Sequence, residues 1–92
     1  MSLTIHAVAD QLAIPSQELW RQALQAFLRE QARIYNVERL GLCQKYGVSS
    51  LLEMDGLVAE GKVDEETILP DFQRVDFLTA KLRKLDDLLA AA

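Results

Sequence analysis

Few side chains in this chain are of the kinds that do chemistry, and their spacing decides which chemistry is open to them. Cys43 is the only cysteine and His6 the only histidine, so neither an internal disulfide nor a Cys/His zinc cluster can form within one copy. Nucleophilic catalysis needs a Ser, Cys or Thr held beside a base that a third group orients. With the single imidazole close to the N-terminus, no Ser-His-Asp or Cys-His constellation is expected. Cys43 reads as a small packed residue of a helix in preference to a reactive thiol. The acidic run Asp64, Glu65 and Glu66 could hold a cation, but carboxylates in a first helical turn are accounted for by capping and by the helix dipole. Gly41, Gly47, Gly56 and Gly61 are scattered and form no phosphate-cradling loop. The expectation is a protein without cofactor, metal or catalytic residues, and not an enzyme.

The bulk composition narrows the alternatives. Ninety-two residues, half of them hydrophobic, suit one domain spanning 1–92, near the lower size limit for a core without disulfides or metals. No apolar run approaches the ~20 residues that span a bilayer, and Met1, Ser2 and Leu3 open no basic-then-apolar leader, so no membrane contact and a cytoplasmic location are expected. The net charge of −4 has the wrong sign for a phosphate backbone, which makes nucleic acid an unfavoured partner.

The elements can be read from their ends. Pro15 and Ser16, with Glu18 in the first turn, start a helix that the next stop signal, Gly47, closes. Inside it Trp20, Leu24, Phe27, Leu28, Ile34 and Tyr35 recur at spacings of three, four and seven, while Arg21, Gln25, Arg29, Glu30 and Arg33 fall mostly elsewhere. Such a helix over 16–47 runs about 45 Å, long for a compact monomer of this size. Gly41 within it costs about 1 kcal/mol relative to alanine, which predicts either a close helix contact there, the favoured option, or a bend. Ser50 and Glu53 form a capping box that opens a short helix over 50–60, carrying Leu51, Leu52, Met54, Leu57 and Val58 and ending at Gly61. Asp64 caps a third start, with Val63 and Ile68 placed as a hydrophobic staple. Pro70 lies too deep for the first turn and predicts a kink or break near Leu69, at ~3 kcal/mol unless compensated.

Beyond that bend, within a helix over 64–90, Val75, Leu78, Leu82, Leu85 and Leu89 alternate by three and four as a coiled-coil seam, widened by Phe72 and Leu88. Lys81, Arg83 and Lys84 against Asp86 and Asp87 read as a solvated mixed-charge face. The fold expected is all-α: a long antiparallel helical hairpin with a short connecting helix, completed by dimerisation. The seam either hooks a foreign helix or packs on the Trp20–Tyr35 face of the same chain, the commoner outcome. Both hold if the two long helices form a thin layer with an apolar stripe on each of two sides. The candidate protein-interface residues are therefore Trp20, Leu24, Phe27, Phe72, Val75, Leu78, Leu82, Leu85 and Leu89, and the first expected partner is a second copy, as a homodimer or higher oligomer. Trp20 itself could be core or an interface anchor.

Residues 1–15 form an N-terminal arm open to two readings. Leu3, Ile5 and Ala7 alternate like a strand, whereas Ile5, Val8, Ala9 and Leu12 after Thr4 suit a short helix. As a helix, Ala9, Ala13 and Leu19 match part of a helix-turn-helix pattern, with Ser16, Gln17, Arg21 and Gln25 facing the groove of a duplex. Ala13 in place of a turn glycine, Gln22 at an apolar position and the lack of a basic patch count against it. As a strand, the arm is similar to that of a ribbon-helix-helix regulator. A DNA-binding regulator is thus the alternative to an interaction module.

The strings Gln44 to Val48, Leu51 to Asp55, Ala59 to Val63 and Asp71 to Leu78 together resemble a group of short, mostly uncharacterised proteins common in cyanobacteria and some archaea. Several of these look like the antitoxin member of toxin–antitoxin pairs. The resemblance covers roughly Leu19 to Leu89 and rests on helix ends and seam residues. It implies a toxin-like protein as a further partner and carries no catalytic or ligand residue over to this chain.

Overall fold

A computed structural model describes residues 2–92. Among them are four helices and no strand: α1 Ile5–Leu12, α2 Ser16–Lys45, α3 Leu51–Ala59 and α4 Glu65–Ala91. The strand reading of the N-terminal arm is thereby overturned. Thr4 caps α1 by accepting the Ala7 amide at 3.1 Å, which favours helix from the first turn onward.

Three helix ends are built alike. At Gly47 (φ +70) and Gly61 (φ +69) the chain enters the left-handed region, and the next residue donates five positions back, Val48 to the Cys43 carbonyl and Lys62 to that of Leu57. This is the Schellman arrangement, in which glycine avoids the Cβ clash. The third, after α1, uses Ala13 at φ 55, with Ile14 donating to the Ala9 carbonyl at 3.0 Å. Alanine there keeps the bond pattern but carries the left-handed penalty.

The starts follow the expected chemistry with small shifts. Ser50 Oγ accepts the Glu53 amide at 3.1 Å, but the Glu53 carboxylate reaches the amide and hydroxyl of Ser49, not the amide of Ser50. Asp64 starts α4 without bonding a backbone amide; its carboxylate accepts the Thr67 hydroxyl at 3.0 Å. Ile68 is buried in the core that half-buried Val63 packs against.

Pro70 and Gly41 both sit inside unbroken helices. α4 runs unbroken through Pro70: the missing amide deprives only the Glu66 carbonyl, and both residues are exposed, so water can satisfy it. Gly41 meets no neighbour; a Cβ built there finds nothing within 4 Å, and α2 continues past it. No helix of the same chain packs closely there, because Gly41 lies on an exposed side of α2.

α2 and α4 pack side by side, α1 folds against α2, and α3 packs on α4. Cys43, Met54, Ile68 and Val75 form the core at the α3 end, ringed by residues such as Tyr46, Leu51 and Phe72. Polar links hold the antiparallel register: Lys45 Nζ and Tyr46 Oη donate to Asp71 at 2.8 and 2.5 Å, and Arg74 binds Glu38 through two bonds. Gln25 lies within 3.5 Å of the Ala92 carbonyl at the far end. The first turns of α2 therefore project beyond α4. The molecule measures 60 × 28 × 16 Å with a radius of gyration of 19.2 Å, against about 12 Å for a compact domain of this length. Its thin dimension is little more than one helix diameter.

Ala13→Gly should relieve the left-handed strain and raise stability by about 0.5–1 kcal/mol, or several degrees in Tm, in a calorimetric melt. A lowered Tm would show that Ala13 is not strained. Asp71 is held below the usual carboxylate range by Lys45 first and Tyr46 second. Its contribution is thus present above about pH 4 and lost as pH falls through the depressed value. Asp71→Asn should lower Tm at neutral pH and flatten the acid limb of Tm against pH; an unaltered limb would contradict the assigned link.

Candidate interaction face

Helix periodicity sets what each side of the hairpin shows. On α2, positions 20, 24, 27, 34 and 38 fall in one heptad-like row. Glu38 is the last of these, and its carboxylate is clasped by Arg74 of α4. Arg74 in turn shares its side of α4 with Phe77 and Leu88, three and fourteen residues on. The ion pair therefore marks one face to which both helices contribute. There Trp20 (53 %), Leu24 (50 %), Phe27 (60 %) and Ile34 (45 %) remain exposed on α2, as do Phe77 (48 %) and Leu88 (47 %) on α4. Isolated exposed apolar residues are ordinary; several large ones along two packed helices make this side the candidate interaction face.

The face is charged at its middle and apolar along its length. The Arg74 guanidinium holds the Glu38 carboxyl below its usual range. Arg74 also lies over the Phe77 ring, 5.1 Å from the centroid, and Lys81 flanks the same ring at 5.9 Å. Such cation–π contacts orient an aromatic that solvent would otherwise leave free. In the first turn of α2, Glu18 is pushed down to about 2 by bonds from Arg21 and Gln22.

The interface residues expected from the sequence divide. Trp20, Leu24 and Phe27 lie on the exposed face. Val75, Leu78 and Leu85 do not: they are buried, Val75 and Leu78 completely. Leu82, Leu89 and Phe72 are half-buried, Phe72 against the core. Assigning the α4 seam to a partner is thus corrected, because α2 of the same chain covers it. The correction extends to the supposed pairing of the seam with the Trp20–Tyr35 face, since Tyr35 and Leu28 are half-buried while Trp20, Leu24, Phe27 and Ile34 are turned away. Phe77 escaped the sequence reading because it sits one position off the seam; its spacing from Arg74 and Lys81 was the available signal.

The structure also brings together two residues of chemical interest that the sequence reading kept apart. His6 Nδ1 lies 2.9 Å from Ser16 Oγ. No carboxylate bonds the imidazole among the described residues, and both side chains sit on the exposed α1–α2 corner, so the pair ties the arm to α2 and lacks the third, orienting group of a nucleophilic triad. No helix among the described residues is long and apolar enough to cross a membrane.

The chain exposes 6702 Å², whereas a folded monomer of this mass exposes about 5,400 Å². The excess, about 1,300 Å², reflects the extended shape of the whole hairpin. Searches of curated proteins and of solved structures find no match to the chain. A family profile matches residues 1–91, and the chain accordingly belongs to the uncharacterized protein MJ0235 family.

Proposed function

We propose that this protein is a helical self-association module in which two copies cover each other's Trp20–Ile34 and Phe77–Leu88 face. The observation that carries this reading is the row of half-exposed large apolar side chains on a hairpin one helix thick. A second copy is the occupant that the face suits. A two-fold axis near the Glu38–Arg74 pair would set the apolar row of one copy against that of the other. Gly41 belongs to the same exposed side, with open space where a Cβ would stand, and admits a close approach of a partner helix. A duplex-binding role draws less support, because Arg21, one of the side chains it needs, is engaged by Glu18 through two bonds.

Sedimentation velocity at tens of micromolar should give twice the mass of the chain. Phe27→Asp, at a side chain already 60 % exposed, should leave the helical circular dichroism unchanged. It should weaken the dimer by at least about 3 kcal/mol, a hundredfold in Kd, since the lost contact counts twice across a two-fold interface. A monomeric native protein would overturn the proposal and leave a foreign helix, such as that of a toxin-like protein, as the occupant. Gly41→Ala offers a separate check. It should stabilise the isolated α2 by up to about 1 kcal/mol in a monomeric background while loosening the dimer; tighter association of the alanine variant would contradict the close approach.

A further inference from the structure

The side of the hairpin opposite the apolar face gathers four of the chain's ten basic residues, all arginines. Of the six arginines, two, Arg21 and Arg74, do not line the groove on this side and are bonded to Glu18 and Glu38. The other four, Arg29, Arg33 and Arg39 of α2 and Arg83 of α4, line one open groove of about 630 Å³ between the two helices and the start of α3. Asp86 is the only carboxylate among the lining residues. In a protein whose net charge is −4, such a concentration on one concave surface makes a local positive field against the sign of the whole.

The guanidiniums differ in how they are held. Arg39 is fixed by neutral acceptors: Nε and Nη2 donate to Asn36 Oδ1 at 3.2 and 2.9 Å, and Nη1 donates to the Ser49 carbonyl at 3.2 Å. Its position is set while its charge is left uncompensated. Arg33 is paired with Glu30 at 2.6 Å. Arg29 and Arg83 take part in no ion pair among the described residues. They stand on facing helices, so that one anion between them can receive a fork from each side. Leu82, Leu51 and Ala32 supply an apolar floor beneath these charges. The volume falls in the range of small-molecule sites.

We infer that this groove binds a small, multiply charged phosphate anion, with Arg29, Arg39 and Arg83 as its phosphate-binding groups. A free inorganic polyphosphate and the phosphate tail of a nucleotide present the same chemistry, and the apolar floor distinguishes them, since only the second brings an organic body to rest on it.

The test is isothermal titration of the full chain with inorganic tripolyphosphate and, separately, with adenosine triphosphate in low-salt buffer. The expected result is saturable one-to-one binding that weakens as salt rises. Arg29→Gln and Arg83→Gln should each weaken binding about tenfold, while Arg21→Gln, outside the groove, leaves it unchanged. Tighter binding of the nucleotide than of tripolyphosphate assigns the organic phosphate as the natural class; equal binding assigns the phosphate chain alone, and both support the site. Absence of binding by either anion overturns it, as does binding that survives loss of Arg29 and Arg83, or binding of a twelve-base-pair duplex with neither small anion bound. Should the glutamine variants fail to fold, methyl NMR of the native chain decides: tripolyphosphate should shift Leu82, Thr79 and Ala32, and shifts confined elsewhere overturn the site. Phe27→Asp lies on the other face and should bind the anion as the native chain does, so failure of this site and failure of the dimer are separable.

Discussion

Burial of one narrow stripe of α4 against α2 is the contact on which everything else in this molecule depends. Val75, Leu78 and Leu85 are shut inside the chain, and with Cys43, Met54 and Ile68 they account for nearly all of its fully buried apolar side chains. At roughly 1.5–3 kcal/mol for each large side chain removed from water, the seam is what holds two helices of 30 and 27 residues in register. The polar links at Lys45, Tyr46 and Asp71, and at Glu38 and Arg74, are half-exposed; they select the antiparallel pairing more than they stabilise it.

A two-helix layer can bury only the sides its helices turn to each other. α3 covers the α4 flank near the core and α1 covers the start of α2, which leaves two broad faces open. One is apolar and rimmed by Lys81 and Arg74; the other is polar and gathers four arginines. Folding within one chain therefore separates two kinds of surface by the thickness of a helix, about 10 Å. An apolar surface finds its lowest free energy against protein, a cationic concavity against anions, and neither competes with the other for the same ground.

Local chemistry was the legible part of the sequence. Gly47 and Gly61 close their helices because the left-handed turn they occupy excludes other residues at low cost, and the serine and glutamate at Ser50 and Glu53 open α3 through bonds only a few residues long. Val63 and Ile68 likewise join one core. What depended on long-range packing was not legible. Trp20, Leu24, Phe27, Leu28, Ile34 and Tyr35 form one wide apolar arc, and which edge of that arc meets α4 is a rotation of the helix about its axis that periodicity does not specify. Pro70 and Gly41 show a related limit: both are exposed, so the Glu66 carbonyl that Pro70 leaves without a donor faces water and no helix of the same chain packs at Gly41. Arg29 and Arg83 lie more than fifty positions apart and read as ordinary solvated charges until the hairpin sets them on opposite walls of a groove.

Trp20 offers the most direct probe of the central claim, since it is the chain's sole tryptophan and lies on the apolar face with 53 % of its surface exposed in the single chain. Acrylamide quenching of its fluorescence at tens of micromolar protein should be weak, and should rise to that of a solvated indole in Phe27→Asp. Equal and strong quenching of both proteins would mean that the face stands in water, and that this hairpin needs no cover.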